Sequence, residues 1–160
     1  MGCPRVLAGS LALLATLAED PAAAQQVQIT RLNDIALGFA SVDQDATGSR
    51  NVCVSATGVT GRYSVLATGS GDGNAFTLAG AGAPLAYDVQ WSGTANQGTG
   101  TVLTAGRATS GFVTALLGLN LSCVLGNDTA SLTVVVRAAD LSKATAGAYT
   151  GLLTLLIAAE

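Results

Sequence analysis

The sequence predicts an all-β domain, and its spacing favours a β-sandwich. Charged residues make up only 11 % of the chain, whereas glycine occurs 20 times. This composition, with abundant Ala, Thr, Ser and Val, favours short strands and tight turns over helices. Turn-forming clusters recur about every 8 to 12 residues, an interval typical of antiparallel sandwiches. A chain of 160 residues suits one domain with its own hydrophobic core.

The amino terminus resembles a secretory signal peptide. Arg5 precedes the apolar run VLAGSLALLATLA, and the small-residue stretch AAA follows it. The run is shorter than the roughly 20 apolar residues that a membrane-spanning helix requires. We therefore predict that residues 1–24 are removed by cleavage between Ala24 and Gln25. The mature domain, residues 25–160, is then an exported protein without a stable membrane span.

Alternation of apolar and polar residues predicts the strands of the mature domain. In chain order they are VQITRLNDIALGFA, RNVCVSATG, GRYSVLATGS, NAFTLAG, LAYDVQWSG, TVLTAG, LGLNLSCVLG, ASLTVVVRA and AYTGLLTLLI. Turn formers such as DQDATGS, SGDGN, GAGAP and GTANQGTG separate them. The segment AADLSKATAG, residues 138–147, could be helical, but because it is short it is interpreted as a turn that leads into the last strand.

The same alternation predicts which side chains face the core. The core-facing residues are Tyr63, Val65 and Ala67, then Leu85, Tyr87, Val89 and Trp91, and finally Tyr149, Gly151, Leu153, Leu155 and Ile157. The opposite row of the last strand, Thr150, Leu152, Thr154 and Leu156, is half polar. Because no further strand follows in the sequence, we expect the core row of this last strand to be incompletely covered.

Two cysteines, Cys53 and Cys123, remain after removal of the signal peptide. An exported protein meets an oxidising compartment, so an even pair most simply forms one disulfide; two buried free thiols are the alternative. Closing a loop of about 70 residues between these cysteines stabilises a fold by up to about 4 kcal/mol in the chain-entropy model.

Residues for catalysis are sparse. The chain contains no histidine, which removes the commonest general base and metal ligand and any Ser-His triad. Lys143, its only lysine, has no serine three residues before it. The stretch NDTAS around Asp128 resembles an aspartic-protease turn, but alanine replaces glycine and no second carboxylate is marked. We therefore expect no enzyme and no cofactor.

Binding motifs are equally weak. Asp43 and Asp45 supply too few oxygens for calcium, so a solvated loop and no metal site are expected. The stretch GSGDGN, residues 69–74, is interpreted as a hairpin turn because no lysine or helix follows, as a phosphate-binding loop requires. The basic residues are scattered singly, which argues against nucleic acid as a partner.

Several stretches together resemble one family, the spore coat protein U domain. They are RLNDIALG, RNVCV, GRYSVLATGSGDGNAFTLAG, LAYDVQW, LSCVLGN and LTVVVRAADLSKATAGAYTGLLTLLIAAE, in that order. The resemblance covers the chain from about residue 29 onward, and its specificity comes from the order of the motifs. Cys53 and Cys123 occupy the positions of that domain's disulfide pair.

This resemblance implies a subunit of an archaic chaperone–usher pilus. Such subunits are immunoglobulin-like sandwiches that lack their final strand. A periplasmic chaperone, and then the extension of a neighbouring pilus subunit after transfer at the outer-membrane usher, would supply the strand by β-augmentation. The implied contact residues are Tyr149, Leu153, Leu155 and Ile157. The protein would pass through the periplasm to a cell-surface pilus or be secreted.

Alternatives remain at the sequence level. An earlier strand of the same chain could cover the last strand internally. Only QQVQ precedes ITRLNDIALG, so the chain offers little to donate, and its position in a fibre, shaft or tip, stays open. The competing function is a self-contained adhesive or carbohydrate-binding sandwich, for which Trp91 is the one stacking candidate.

Overall fold

A computed structural model of the chain describes residues 26–38, 40–56, 61–114 and 121–160. The predicted signal peptide and the Ala24–Gln25 cleavage site lie outside the described residues. The strands are β1 (Val27–Thr30), β2 (Ala46–Ala56), β3 (Arg62–Gly69), β4 (Thr77–Gly80), β5 (Leu85–Ala86), β6 (Asp88–Ser92), β7 (Thr101–Val102), β8 (Ala108–Val113), β9 (Ala130–Val136), β10 (Tyr149–Thr150) and β11 (Leu153–Ala159). The helices are α1 (Leu121–Val124) and α2 (Ala138–Leu141). Neither described helix is long and apolar enough to cross a membrane.

The strands form three antiparallel sheets, which confirms the all-β prediction. The largest has the order β1-β2-β9-β6-β7, and the two smaller ones have the orders β11-β3-β8 and β10-β4-β5. Strand β9 lies in the centre of the largest sheet, and all seven of its residues are buried. Its two polar residues, Ser131 and Thr133, are buried as well, and their hydroxyls form hydrogen bonds with Thr94 and Ser49, respectively.

The core contains the residues that alternation predicts. Tyr63, Val65, Ala67, Leu85, Tyr87, Val89 and Trp91 are all buried in one hydrophobic cluster. Trp91 is fully buried and its Nε1 donates a hydrogen bond of 3.2 Å to the Tyr63 hydroxyl, which satisfies the indole donor. Burial raises the pKa of Tyr63, so this hydroxyl stays neutral.

The first predicted strand is shorter than its sequence pattern. It ends at Thr30 because Arg31 has a φ of +67°, which breaks the extended conformation. The following residues still lie against β2, where Gly48 leaves room for the side chains of Ile35 and Leu37. This segment contributes apolar contacts to the core without extending the ladder.

Other elements differ from the sequence expectation, including helix α2, which begins the segment that we interpreted as a turn. The LGLNLSCVLG segment holds the short helix α1 instead of a strand in its described part, and Gly126, with a φ of +82°, follows that helix. Strand β8 was not anticipated because its alternation is interrupted. Two residues of β8, Ser110 and Gly111, lie opposite Ser64 alone, and Gly111 has a φ of +92°. This geometry is a β-bulge.

The GSGDGN segment is not a hairpin turn. Strands β3 and β4, on either side of it, do not pair with each other; both pair antiparallel with the β10–β11 segment. They therefore run in the same direction, and residues 70–76 form an excursion between them that includes a 3₁₀ turn at Asp72–Asn74. The hairpin interpretation was wrong because the pairing partner of both strands lies about 80 residues further along the chain.

Candidate functional site

Strand β11 is the longest strand at the edge of a described sheet. It pairs with β3 along its whole length, from Leu153 opposite Gly69 to Ala159 opposite Tyr63, without a register shift. Among the described residues no strand pairs with its other edge. A regular strand of seven residues therefore presents a free row of main-chain hydrogen-bonding groups.

The hydrogen bonds next to β11 identify which groups point outward. The amide of Glu160 donates to the carbonyl of Arg62 at 3.0 Å, and the amide of Leu152 donates to Oγ of Ser70 at 3.1 Å. Residues 152 and 160 thus direct their main-chain groups toward the β3 side. Because this direction alternates along an antiparallel strand, the outward groups belong to Leu153, Leu155, Ile157 and Ala159.

The side chains of the same residues face the core. Leu153, Leu155 and Ile157 are half-buried and pack against the hydrophobic cluster, whereas Leu156 is 60 % exposed. The predicted core row of this strand is therefore confirmed. Its three large side chains remain less buried than Val65 and Ala67, which face them on β3.

Strand β1 forms a second free edge beside β11. The hydroxyl of Thr129 bonds both the amide and the carbonyl of Val54 at 2.8 Å, so β2 must pair with β1 through its other residues. By alternation, the outward main-chain groups of β1 belong to Val27 and Ile29. Both side chains are half-buried against the core. We did not predict from the sequence that β1 presents a half-buried apolar edge beside β11, although the alternation in VQIT indicates it.

The edges of β1 and β11 converge on one margin of the core. Their Cα atoms approach within 8 Å of each other. No sheet described by the structure joins the two strands. Together, Val27, Ile29, Leu153, Leu155 and Ile157 form what we call the apolar margin: a strip of half-buried side chains between two unpaired strand edges.

A disulfide fixes the end of β1. Cys53 and Cys123 are bonded, with their Cα atoms 5.6 Å apart, which confirms the predicted pairing. Cys53 is buried on β2 opposite Thr30, the last residue of β1. The guanidinium of Arg31 donates to the carbonyl of Gly126, just after α1. The disulfide and the hydrogen bond from Arg31 to Gly126 therefore connect β1, one side of the apolar margin, to α1.

Arg31 also forms an ion pair with Asp128, the carboxylate of the stretch NDTAS that resembles an aspartic-protease turn. Its Nε lies 3.5 Å from Oδ1 of Asp128, close enough for an ion pair but too long for a good hydrogen bond. That buried oxygen has no other partner. Asp128 thus supports the β1–α1 junction.

Tyr149 lies apart from the other three predicted contact residues. It is on β10, opposite Gly80 of β4, and its hydroxyl donates to the carbonyl of Thr145 at 3.0 Å. A Cβ at Gly80 would fall on the Tyr149 ring, so the ring packs directly over this glycine. The structure gives Tyr149 this local packing role and brings Leu153, Leu155 and Ile157 together without it.

Asp45 belongs to a charge cluster at the far end of β2 and is not a simple solvated loop residue. It accepts hydrogen bonds from the amide of Ala138 at 2.8 Å and from Arg137 at 3.0 Å. Arg137 also bonds Asp88 at 2.7 Å. The Ala138 amide first, and then Arg137, lower the pKa of Asp45. This cluster holds α2 against β6 and leaves Asp45 engaged in protein contacts.

The other described edges are short or interrupted, unlike that of β11. Strands β5 and β7 have two residues each, and β8 carries the bulge at Gly111. Short strands and bulges both discourage pairing with another chain. The chain matches no known family model, and no curated protein matches it, so the unpaired β11 edge is the feature on which a functional assignment rests.

Proposed function

We propose that this chain is an exported structural subunit of a chaperone–usher surface pilus, assembled by donor-strand complementation. The observation that carries the proposal is the unpaired seven-residue edge of β11, whose core-facing side chains are only half-buried. A strand from another molecule would bond the outward groups of Leu153, Leu155, Ile157 and Ala159. Its own alternate side chains would cover the apolar margin.

In this proposal the fold is an immunoglobulin-like sandwich that lacks one strand. The β1 edge of the large sheet and the β11 edge of a small sheet lie at one margin of a shared core. A periplasmic chaperone would pair with the β11 edge in transit, and a neighbouring pilus subunit would replace it at the outer-membrane usher. The disulfide, which anchors β1, is consistent with an oxidising compartment.

The burial of the β11 side chains limits the free energy that a donor strand gains by covering them. Leaving three apolar side chains fully exposed would forgo about 5 to 9 kcal/mol. Because the three residues of β11 keep at most about a third of their surface exposed, covering the remainder contributes only about 1 to 3 kcal/mol. Most of a donor's affinity must therefore come from the main-chain ladder and from its own apolar side chains.

The competing binding-module function has less support. Trp91, its one stacking candidate, is completely buried and bonded to Tyr63. A sugar ring cannot reach a buried indole. The other described aromatic side chains are buried or half-buried as well.

The test uses a peptide of about eight residues with apolar side chains at every second position. At about 100 times its Kd, such a ligand stabilises a protein by about 2.7 kcal/mol, which corresponds to a rise in Tm of about 5 to 10 °C for this size of domain. The control peptide has the same composition with its apolar residues consecutive, so that they fall on both faces of a strand. Equal effects of the two peptides, or none, would contradict the proposal.

A further inference from the structure

Strand β11 also has a solvent face that a single donor strand leaves largely open. Leu152 and Leu156 on this face are 68 % and 60 % exposed. Leu66, opposite Leu156 on β3, is half-buried beside it. No charged residue occurs from position 144 to 159. An uncharged edge with large exposed side chains is the type of edge that pairs with a second copy of itself.

We infer that β11 pairs antiparallel with the β11 of a second copy, with Leu156 on the twofold axis. The hydrogen-bonding register between the two strands supports this arrangement. Hydrogen-bonded pairs must join residues with outward groups, which are Leu153, Leu155, Ile157 and Ala159 in both copies. Centring the pairing on Leu156 places 155 opposite 157 and 153 opposite 159, so every outward group finds a partner. A centre at 155 or 157 leaves outward groups unpaired.

This register also covers the exposed side chain of Leu156. Leu156 directs its own main-chain groups toward β3, so the two copies of Leu156 form a non-hydrogen-bonded pair, in which side chains lie closest. Each exposed Leu156 then covers the other. The two Glu160 carboxylates lie at opposite ends of the ladder, so they do not repel each other. The inference needs only the free edge and does not depend on fibre assembly.

Cysteine crosslinking tests the register. In Leu156→Cys, the two introduced sulfurs face each other across the axis, with Cα atoms about 4.5 Å apart, within the range of disulfides. In Thr154→Cys and Ala158→Cys, each residue lies about 14 Å from its own copy, because the register displaces it by four positions along the partner strand. All variants carry Cys3→Ser, so that the introduced thiol is the only cysteine outside the Cys53–Cys123 bridge.

The expected result is a covalent dimer of Leu156→Cys, at least about tenfold more abundant than that of either single control at about 100 µM protein and under mild oxidation. A mixture of Thr154→Cys with Ala158→Cys should crosslink, since 154 faces 158 in this register. Equal crosslinking of all single variants, or none for Leu156→Cys, would overturn the inference. Size-exclusion chromatography of the unsubstituted chain should show a concentration-dependent dimer, and a strict monomer at this concentration would also refute it.

The donor peptide separates this inference from the proposed function. Both occupants require the same outward groups of β11, so a bound peptide should abolish crosslinking of Leu156→Cys. Crosslinking without any response to peptide would support self-pairing and contradict the fibre proposal. A peptide that raises the Tm while Leu156→Cys fails to crosslink would support the fibre proposal and contradict self-pairing.

Discussion

Replacing Leu155 with alanine should distinguish the two faces of β11, with Leu156→Ala as the matched control. The two leucines are adjacent in one strand, but Leu155 is half-buried in the core row and Leu156 is 60 % exposed. Leu→Ala costs 2 to 5 kcal/mol at fully buried sites, so we expect a loss of about 1 to 2 kcal/mol for Leu155. The exposed Leu156 should cost no more than about 0.5 kcal/mol.

Donor binding should enlarge this difference. When a strand covers the apolar margin, Leu155 becomes fully buried and its truncation should cost about 3 kcal/mol. The additional loss of about 1 to 2 kcal/mol appears as an affinity for the alternating peptide that is about five- to thirtyfold weaker. Leu156→Ala should bind the peptide as the unsubstituted chain does.

Urea unfolding followed by Trp91 fluorescence measures both effects, with and without peptide. The protein concentration should be about 1 µM, so that self-association does not contribute to the stability of either variant. An equal or larger loss for Leu156→Ala than for Leu155→Ala would refute the assignment of the core row. Peptide affinity unchanged by Leu155→Ala would refute the assignment of the donor position.

Three further substitutions test the parts of the structure that support the site. Replacing both disulfide cysteines with serine should lower the free energy of unfolding by about 4 kcal/mol, as urea unfolding will show, and reducing agent should then have no further effect. Asp45→Asn should lower the Tm at pH 7, because the Ala138 amide and then Arg137 hold the pKa of Asp45 below its ordinary 3.8. A depressed carboxyl pKa stabilises the fold above the unfolded pKa, and this contribution is lost as the pH falls through the folded pKa. The difference in Tm from the unsubstituted chain should therefore shrink as the pH falls below 3.8 and disappear once the carboxyl is protonated in the folded protein. A Tm difference that persists there would contradict the ion-pair explanation. Gly111→Ala should cost about 1 to 2 kcal/mol because φ is positive at the bulge, whereas Gly98→Ala, where a Cβ meets open space, should be nearly neutral; equal thermal stability of these two variants would argue against strain at residue 111.

The sequence predicts those parts of the fold that local alternation controls. Tyr63, Val65 and Ala67 are buried as their period of two requires, and Leu153, Leu155 and Ile157 share the core face of β11. The disulfide follows from the count of cysteines that remain once the predicted signal peptide is set aside. In these places each residue's position along its own strand is sufficient to fix which way it faces.

The parts that sequence reasoning missed depend on distant contacts. Arg31 ends β1 without any glycine or proline signal, and its contact with Gly126 joins positions 95 residues apart. The GSGDGN segment looks like a hairpin turn until the β10–β11 segment is seen to pair with both β3 and β4. Tyr149 packs against the core as its period predicts, but it does so from β10, over Gly80, and not from the β11 edge, because a short break separates β10 from β11. Alternation cannot reveal such choices of partner.

The contrast between the two edges of the β11-β3-β8 sheet argues that the β11 edge is retained for pairing. At the β8 edge, Gly111 introduces a bulge, and the carboxylate of Glu160 accepts a hydrogen bond from the amide of that glycine at 3.3 Å. The β8 edge is thus interrupted where the β11 edge, on the other side of β3, is regular and uncharged. Bulges and charges are the ordinary protections of an exposed edge. A sheet with one edge interrupted and the longer edge regular, with half-buried apolar side chains behind it, supports the proposal that β11 gains a strand on that side.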